Sequence, residues 1–171
     1  MWTRLLSETI QRRLWVLLEA FFRLGDGSKC LNQDLQRYGD LHVPLSNFDI
    51  LNFTDGVQGF RGVFMRDTLP KTKPWCVEYG ILNLDEQKNE GTHWTLWYKN
   101  DHMKYYFDSF GMDPIREIQT YLGQPIICST FRIQETDTKY CGHLCLYLLD
   151  KLIKGASFEN AVIDLAVSCL K

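Results

Sequence analysis

Four residues of this 171-residue chain have the types and positions that thiol chemistry needs: His93, Asp108, Gln134 and Cys141. A cysteine nucleophile requires a base or ion-pair partner, a group that orients the base, and hydrogen-bond donors for the oxyanion. Cys141 stands where a short polar segment ends and a strongly apolar helical pattern begins. That places a thiol at a helix N-terminus, where free backbone N–H groups and the helix dipole favour the thiolate. His93 opens a strand in Gly91-Thr-His-Trp94, and Asp108 ends the next one in Tyr105-Tyr-Phe-Asp-Ser-Phe-Gly111. Gln134 precedes Cys141 by seven residues on a loop that can fold back, so its side-chain amide can join the Cys141 N–H as a donor. Trp94 is placed to wall a substrate cleft, and Gly142 lets substrate or backbone come close to the thiol. Each residue alone has a plainer reading: a strand histidine, a turn aspartate, a solvated glutamine, a buried structural thiol. Their order, each at an element boundary, is what points to thiol acyl transfer.

The elements that must position these residues follow from hydrophobic periodicity. Residues 93–98 and 104–107 read as strands joined by a turn near residue 100, which brings His93 and Asp108 to one edge of a sheet, almost symmetric about the turn. Further strands are expected at 60–66, 75–84 and 126–133, with a polar loop at 69–74. Ser46-Asn-Phe-Asp49 is a capping box that opens a short helix through Phe53. Asp113-Pro114 opens a helix to about Leu122, with Pro suited to the first turn. A helix over 141–154 ends at Gly155, with Leu144, Leu148 and Leu152 on one stripe, and Ser157 caps a final helix. Helices, a run of strands, then helices around a last strand give an α+β layout rather than a regular βαβ winding.

At the start of the chain, Leu6, Ile10, Leu14, Leu17, Phe21 and Leu24 recur at helical spacing, which predicts an amphipathic helix over 3–24 stopped by Gly25-Asp26-Gly27. A short helix over 31–38 follows, closed by Gly39. We read residues 1–40 as a helical extension and 41–171 as the domain carrying the chemistry. The extension is expected to pack on that domain or to support self-association or packing on a partner chain.

An apolar content of 45% suits a single good core, and a net charge of -2 with scattered basic residues gives no reason to expect nucleic acid as an obligatory partner. The N-terminus is interrupted by Arg4, Glu8, Arg12 and Arg13, so no secretory leader is expected. Its longest apolar run, 14–18, is far short of the roughly 20 residues that span a bilayer. The six cysteines, Cys30, Cys76, Cys128, Cys141, Cys145 and Cys169, form no C-x-x-C framework, which predicts reduced thiols inside a cell or virion. Cys141, His143 and Cys145 make a poor zinc set, because no second ligand pair follows at finger-like spacing.

Gly-Thr-His93-Trp, Tyr-Phe-Asp108-Ser-Phe-Gly and Gln134 before Cys141-Gly-His-Leu-Cys resemble the adenovirus-type (adenain-like) cysteine endopeptidases, part of a wider group that includes SUMO-specific proteases. The similarity covers roughly 45–155, including Leu45-Ser-Asn-Phe-Asp-Ile50 and Arg61-Gly-Val-Phe-Met-Arg-Asp67, and points most to processing proteases of adenovirus-related DNA viruses and Polinton/Maverick-type elements. The resemblance implies Cys141 as nucleophile, His93 as base, Asp108 as its orienter and Gln134 in the oxyanion hole. It also implies a mixed sheet packed on a central helix that carries the nucleophile at its N-terminus. The implied reaction is cleavage of capsid or core precursor polypeptides, in the host nucleus or cytoplasm and in the virion rather than outside the cell.

Three features depart from that pattern. Adenovirus members carry Glu where this chain has Asp108, a change that still supplies a carboxylate to hold the imidazole. Cys128 does not match the cysteine used by a disulfide-linked activating peptide, and the slight negative charge does not support DNA activation. No cofactor is therefore expected to be required. The third departure is the extension at 1–40, which has no counterpart in the pattern.

Two rivals remain open. In a SUMO- or ubiquitin-like deconjugating protease the oxyanion Gln sits six residues before the Cys, a position held here by Glu135. A binding or structural virion protein would use the fold without turnover, but it has no chemical need to keep all four groups.

Overall fold

The structure, a computed structural model, describes residues 33–130 and 132–169. The helix expected over 3–24 lies outside them. Five strands form one mixed sheet in chain order: β1 (Phe60–Met65), β2 (Glu78–Asn83), β3 (Trp94–Lys99), β4 (Lys104–Phe107) and β5 (Ile127–Cys128). β1 runs parallel to β2 and β4 parallel to β5, while the two central pairings are antiparallel. The helices are α1 (Asn47–Phe53), α2 (Arg116–Leu122), α3 (Cys141–Ile153) and α4 (Phe158–Cys169), preceded by one helical turn at 33–36. This is the α+β fold with a mixed sheet packed on the helix that starts at Cys141.

Strand periodicity sorts the core onto two faces. Tyr79, Ile81, Leu96, Tyr105 and Phe107 point to one side, where they meet α3, α4, Leu35 and Ile50. Leu82, Trp97 and Tyr106 point to the other, against Ile118 and Leu122 of α2. The sheet is therefore covered on both sides, and α3 lies against its larger face, buried at every residue from Cys141 to Leu149. On the α2 side, Gly80 leaves room for Trp97: a Cβ there would lie 2.1 Å from the indole. The Trp97 indole N–H and the Tyr121 hydroxyl both donate to Glu78 Oε1 at 2.9 Å, so the buried carboxylate is fully engaged.

Several boundaries differ from expectation for local reasons. Ser46 forms the anticipated capping box, its Oγ accepting from the Asp49 N–H and its own N–H donating to the Asp49 carboxylate. Ser157 likewise accepts from the Asn160 N–H. β2 starts three residues later than its apolar pattern, because the Trp75 N–H turns aside to the Glu78 carboxylate at 2.8 Å. α2 starts at Arg116, after an extended Ile115. The strand expected over 126–133 shrinks to Ile127–Cys128. Beyond it the Ser129 N–H still reaches the Tyr106 carbonyl, but the N–H groups of Ile133 and Gln134 both converge on the carbonyl of Ser109. That convergence replaces a ladder with a hook, and the hook carries Gln134.

Candidate active site

The hairpin of β3 and β4 brings His93 and Asp108 together, though not as mirror positions. Asn100 closes the turn: its side chain accepts from the N–H groups of His102 and Met103, and its N–H donates to the Met103 carbonyl. The turn thus centres on Asp101 and His102, later than residue 100, and Leu96 faces Phe107. Continuing that register sets Phe110 opposite His93, and the two rings stack with centroids 4.6 Å apart. Asp108 reaches the imidazole diagonally, with Oδ1 2.9 Å from Nε2. The same Oδ1 accepts the Phe110 N–H at 2.7 Å, which pins the carboxylate in its turn.

The other nitrogen of the His93 ring is left for Cys141. Burial alone would push the imidazole pKa down. Hydrogen bonds to Asp108 and Cys141, with the charges of both, outweigh it and raise the pKa from the ordinary 6.5 to about 9. The imidazolium is therefore the favoured form at neutral pH, sitting between the Asp108 carboxylate and the Cys141 sulfur.

Helix α3 docks the thiol onto β3 through two sulfurs. The Trp94 N–H donates to Cys141 Sγ at 3.4 Å, and one turn later Cys145 Sγ–H donates to the Trp94 carbonyl at 3.5 Å. Cys145 is wholly enclosed, and burial pushes its thiol well above the ordinary range, so it serves as a neutral donor. Tyr140 supplies no side-chain cap to α3, so no capping side chain consumes the helix's first N–H groups, that of Cys141 included.

Gln134 is buried at 1% exposure, with its amide oriented by two neighbours. Oε1 accepts from the Ser109 hydroxyl at 2.7 Å, and Nε2 donates one N–H to the Thr138 carbonyl at 2.9 Å. Nε2 carries a second N–H, and Gln134 lines a cavity together with Cys141, His93, Trp94 and Phe110. The cavity has a volume of about 740 Å³ and extends from the thiol past Leu45, Val63 and Met65 to Asn89 and Glu90.

The structure thus brings His93, Cys141, Gln134 and Trp94 to the lining of one cleft, with Asp108 buried behind His93. Gly142 is a correction. It does not line the cleft; a Cβ there would lie 3.2 Å from both Leu45 Cβ and Trp94 Cδ1. Its missing side chain lets α3 approach Leu45 and Trp94, whose indole N–H donates to the Leu45 carbonyl at 2.8 Å. Sequence reasoning also passed over Ser109 and Phe110, which stand beside Asp108 in a segment already singled out. Among the described residues, no cluster of three or more His, Cys, Asp or Glu side chains is arranged to hold a metal, and no helix is long and apolar enough to cross a membrane.

This α+β arrangement, a five-stranded mixed sheet backed by a helix that starts at the cysteine, has a counterpart among solved protease structures. In particular, the fold is similar to the crystal structure of ASFV pS273R protease, with a TM-score of 0.50 and 13% identity over 73% of this chain and 65% of that one. The Se-Met form of that protease matches with a TM-score of 0.42 and 16% identity over 56% and 43% of the two chains. The chain spans less than two thirds of either solved relative, at 65% and 43% of their lengths. No protein-family model and no curated protein sequence matches it.

Proposed function

We propose that this chain is a cysteine endopeptidase in which Cys141 is the nucleophile, His93 its ion-pair partner and proton carrier, and Asp108 the group that orients His93. The observation that carries the reading is the His93 imidazole, held 2.9 Å from Asp108 at the wall of an open cleft that Cys141 also lines, with its pKa raised by both residues. The thiolate attacks the scissile carbonyl, forming an S–C bond while the carbonyl π pair moves to oxygen. The Cys141 N–H and the second Gln134 N–H stabilise that oxyanion. His93 then gives its proton to the departing amine as the C–N bond breaks, leaving a thioester. Water, deprotonated by His93, attacks the thioester, releases the acid and regenerates the thiolate.

The substrates we propose are precursor polypeptides of a virus or transposon, such as capsid or core proteins, cleaved within the cell or virion. The resemblance in the motifs and the likeness in fold to a viral protease support this. For the deconjugating alternative, the six-residue spacing would demand Glu135, which is exposed, whereas Gln134 is buried in the cleft wall. The burial favours the seven-residue arrangement.

A thiol-directed alkylating probe at neutral pH, read by peptide mass mapping, tests the nucleophile. Cys76 is exposed and serves as the internal control. Cys141 should be labelled first, and His93→Ala should slow its labelling while leaving that of Cys76 unchanged. Equal labelling of both, indifferent to His93→Ala, would sink the proposal.

A further inference from the structure

Ser109 has no part in the chemistry just described, yet it makes three hydrogen bonds to the oxyanion residue and the residue before it. Its hydroxyl donates to Gln134 Oε1 at 2.7 Å. Its carbonyl accepts the Ile133 N–H at 2.8 Å and the Gln134 N–H at 3.0 Å. The residue is fully buried, and its neighbour on the chain is Asp108, whose carboxylate holds His93. From this geometry we infer that Ser109 is a positioning residue that aims the Gln134 amide at the thiol and locks the oxyanion arm to the His93–Asp108 arm through a single peptide unit.

An amide has two ends of nearly equal size and opposite polarity, and only one of them stabilises an oxyanion. If the Gln134 amide turned over, its oxygen would face the developing negative charge and would also meet the Thr138 carbonyl, acceptor against acceptor. Thr138 therefore disfavours the wrong end, while Ser109 supplies a donor for the right one. The hydroxyl is itself fully buried, where a donor left without its acceptor, or an acceptor without its donor, is costly. The paired bonds to the Ser109 carbonyl fix the backbone below the amide. The short turn after β4 thus contacts both arms of the site, the base through Asp108 and the oxyanion donor through Ser109.

This inference rests on the proposed thiol acyl transfer, and its test separates the two. Removing the oxyanion donor with Gln134→Ala should lower kcat by roughly 10²–10³-fold. Ser109→Ala should lower kcat by about ten-fold with little change in KM, a fraction of the full donor's effect. In the double variant Ser109→Ala should add almost nothing beyond Gln134→Ala, because it acts through that amide. Alkylation of Cys141 by iodoacetamide forms no oxyanion: the thiolate displaces iodide. Its rate should therefore be unchanged in all three variants. Multiplicative losses in the double variant, or alkylation slowed in step with kcat, would overturn the positioning role. If the wild type alkylates at Cys141 but turns over no peptide, the acyl-transfer reading fails instead. Should Ser109→Ala fold poorly, the side-chain ¹⁵N–¹H₂ signals of Gln134 in the wild type provide a second route. They should show two inequivalent, slowly exchanging protons with one hydrogen-bonded to Thr138. Averaged, rapidly exchanging signals would contradict a locked amide.

Discussion

Two histidines flank the thiol region and are buried to a similar degree, yet the chain treats them in opposite ways. His93 is 9% exposed and His143 is 0% exposed. His93 meets a carboxylate and a thiol, and its pKa rises to about 9. His143 sits on α3, two residues past Cys141, with no hydrogen-bond partner for either ring nitrogen. Burial pushes its pKa below the ordinary value, and the charges of Asp40 and Asp49 oppose this without reversing it. Enclosure alone drives an imidazole toward neutrality, so burial near a nucleophile does not make a base. What makes His93 useful is the Asp108 carboxylate placed by the β3–β4 register.

The largest effect should separate the two residues by turnover. His93→Ala should lower kcat/KM by roughly 10³–10⁴-fold, as loss of a base from such a constellation does elsewhere. His143→Leu should leave kcat/KM within about two-fold. Comparable losses in both would show that the distinction drawn from their partners is false, and steady-state kinetics on any cleaved peptide decides it.

The next effect is on stability against pH, where the two should act with opposite sign. A raised folded-state pKa means that the His93 contribution is fully present below about 6.5 and is lost as pH rises through about 9. A lowered one means that the His143 environment favours the folded state above about 6.5, an advantage lost as pH falls through its depressed folded value. Urea titrations across this range should show a decline at high pH that His93→Gln removes, and a decline below 6.5 that His143→Leu removes. A high-pH decline that survives His93→Gln would assign it to another group. The smallest effect is at fixed neutral pH, where His143→Leu should raise stability by about 1 kcal/mol by removing buried nitrogens without partners. A loss of that size would instead point to a hydrogen bond made by His143.

Much of this arrangement was legible in the sequence because it depends on local chemistry. The Ser46 capping box, the helix that starts at Cys141, and the alternation of β3 and β4 follow from residue types a few positions apart. The register offset was not legible, since it turns on Asn100 closing its own turn and moving the hairpin centre past residue 100. Gly142 reads from sequence as room for substrate or backbone; only the approach of Leu45 and Trp94, distant in sequence, shows what fills that room. The segment after Cys128 carries strand-like residues but spends its N–H groups on Ser109, so composition suggested a ladder where the chain forms a hook. Ser109 itself was hidden because a serine beside an aspartate carries no signal until its partner, 25 residues away, is brought to it.

The central claim is that Asp108 and Cys141 together hold His93 as an imidazolium at neutral pH, which a titration of the ring signals by NMR measures directly. His93 should titrate near 9, and Cys141→Ala should lower that value by removing one of its two partners. In the same spectra His143 should titrate below its ordinary 6.5. A His93 ring that titrates near 6.5 and is unmoved by Cys141→Ala would contradict the account.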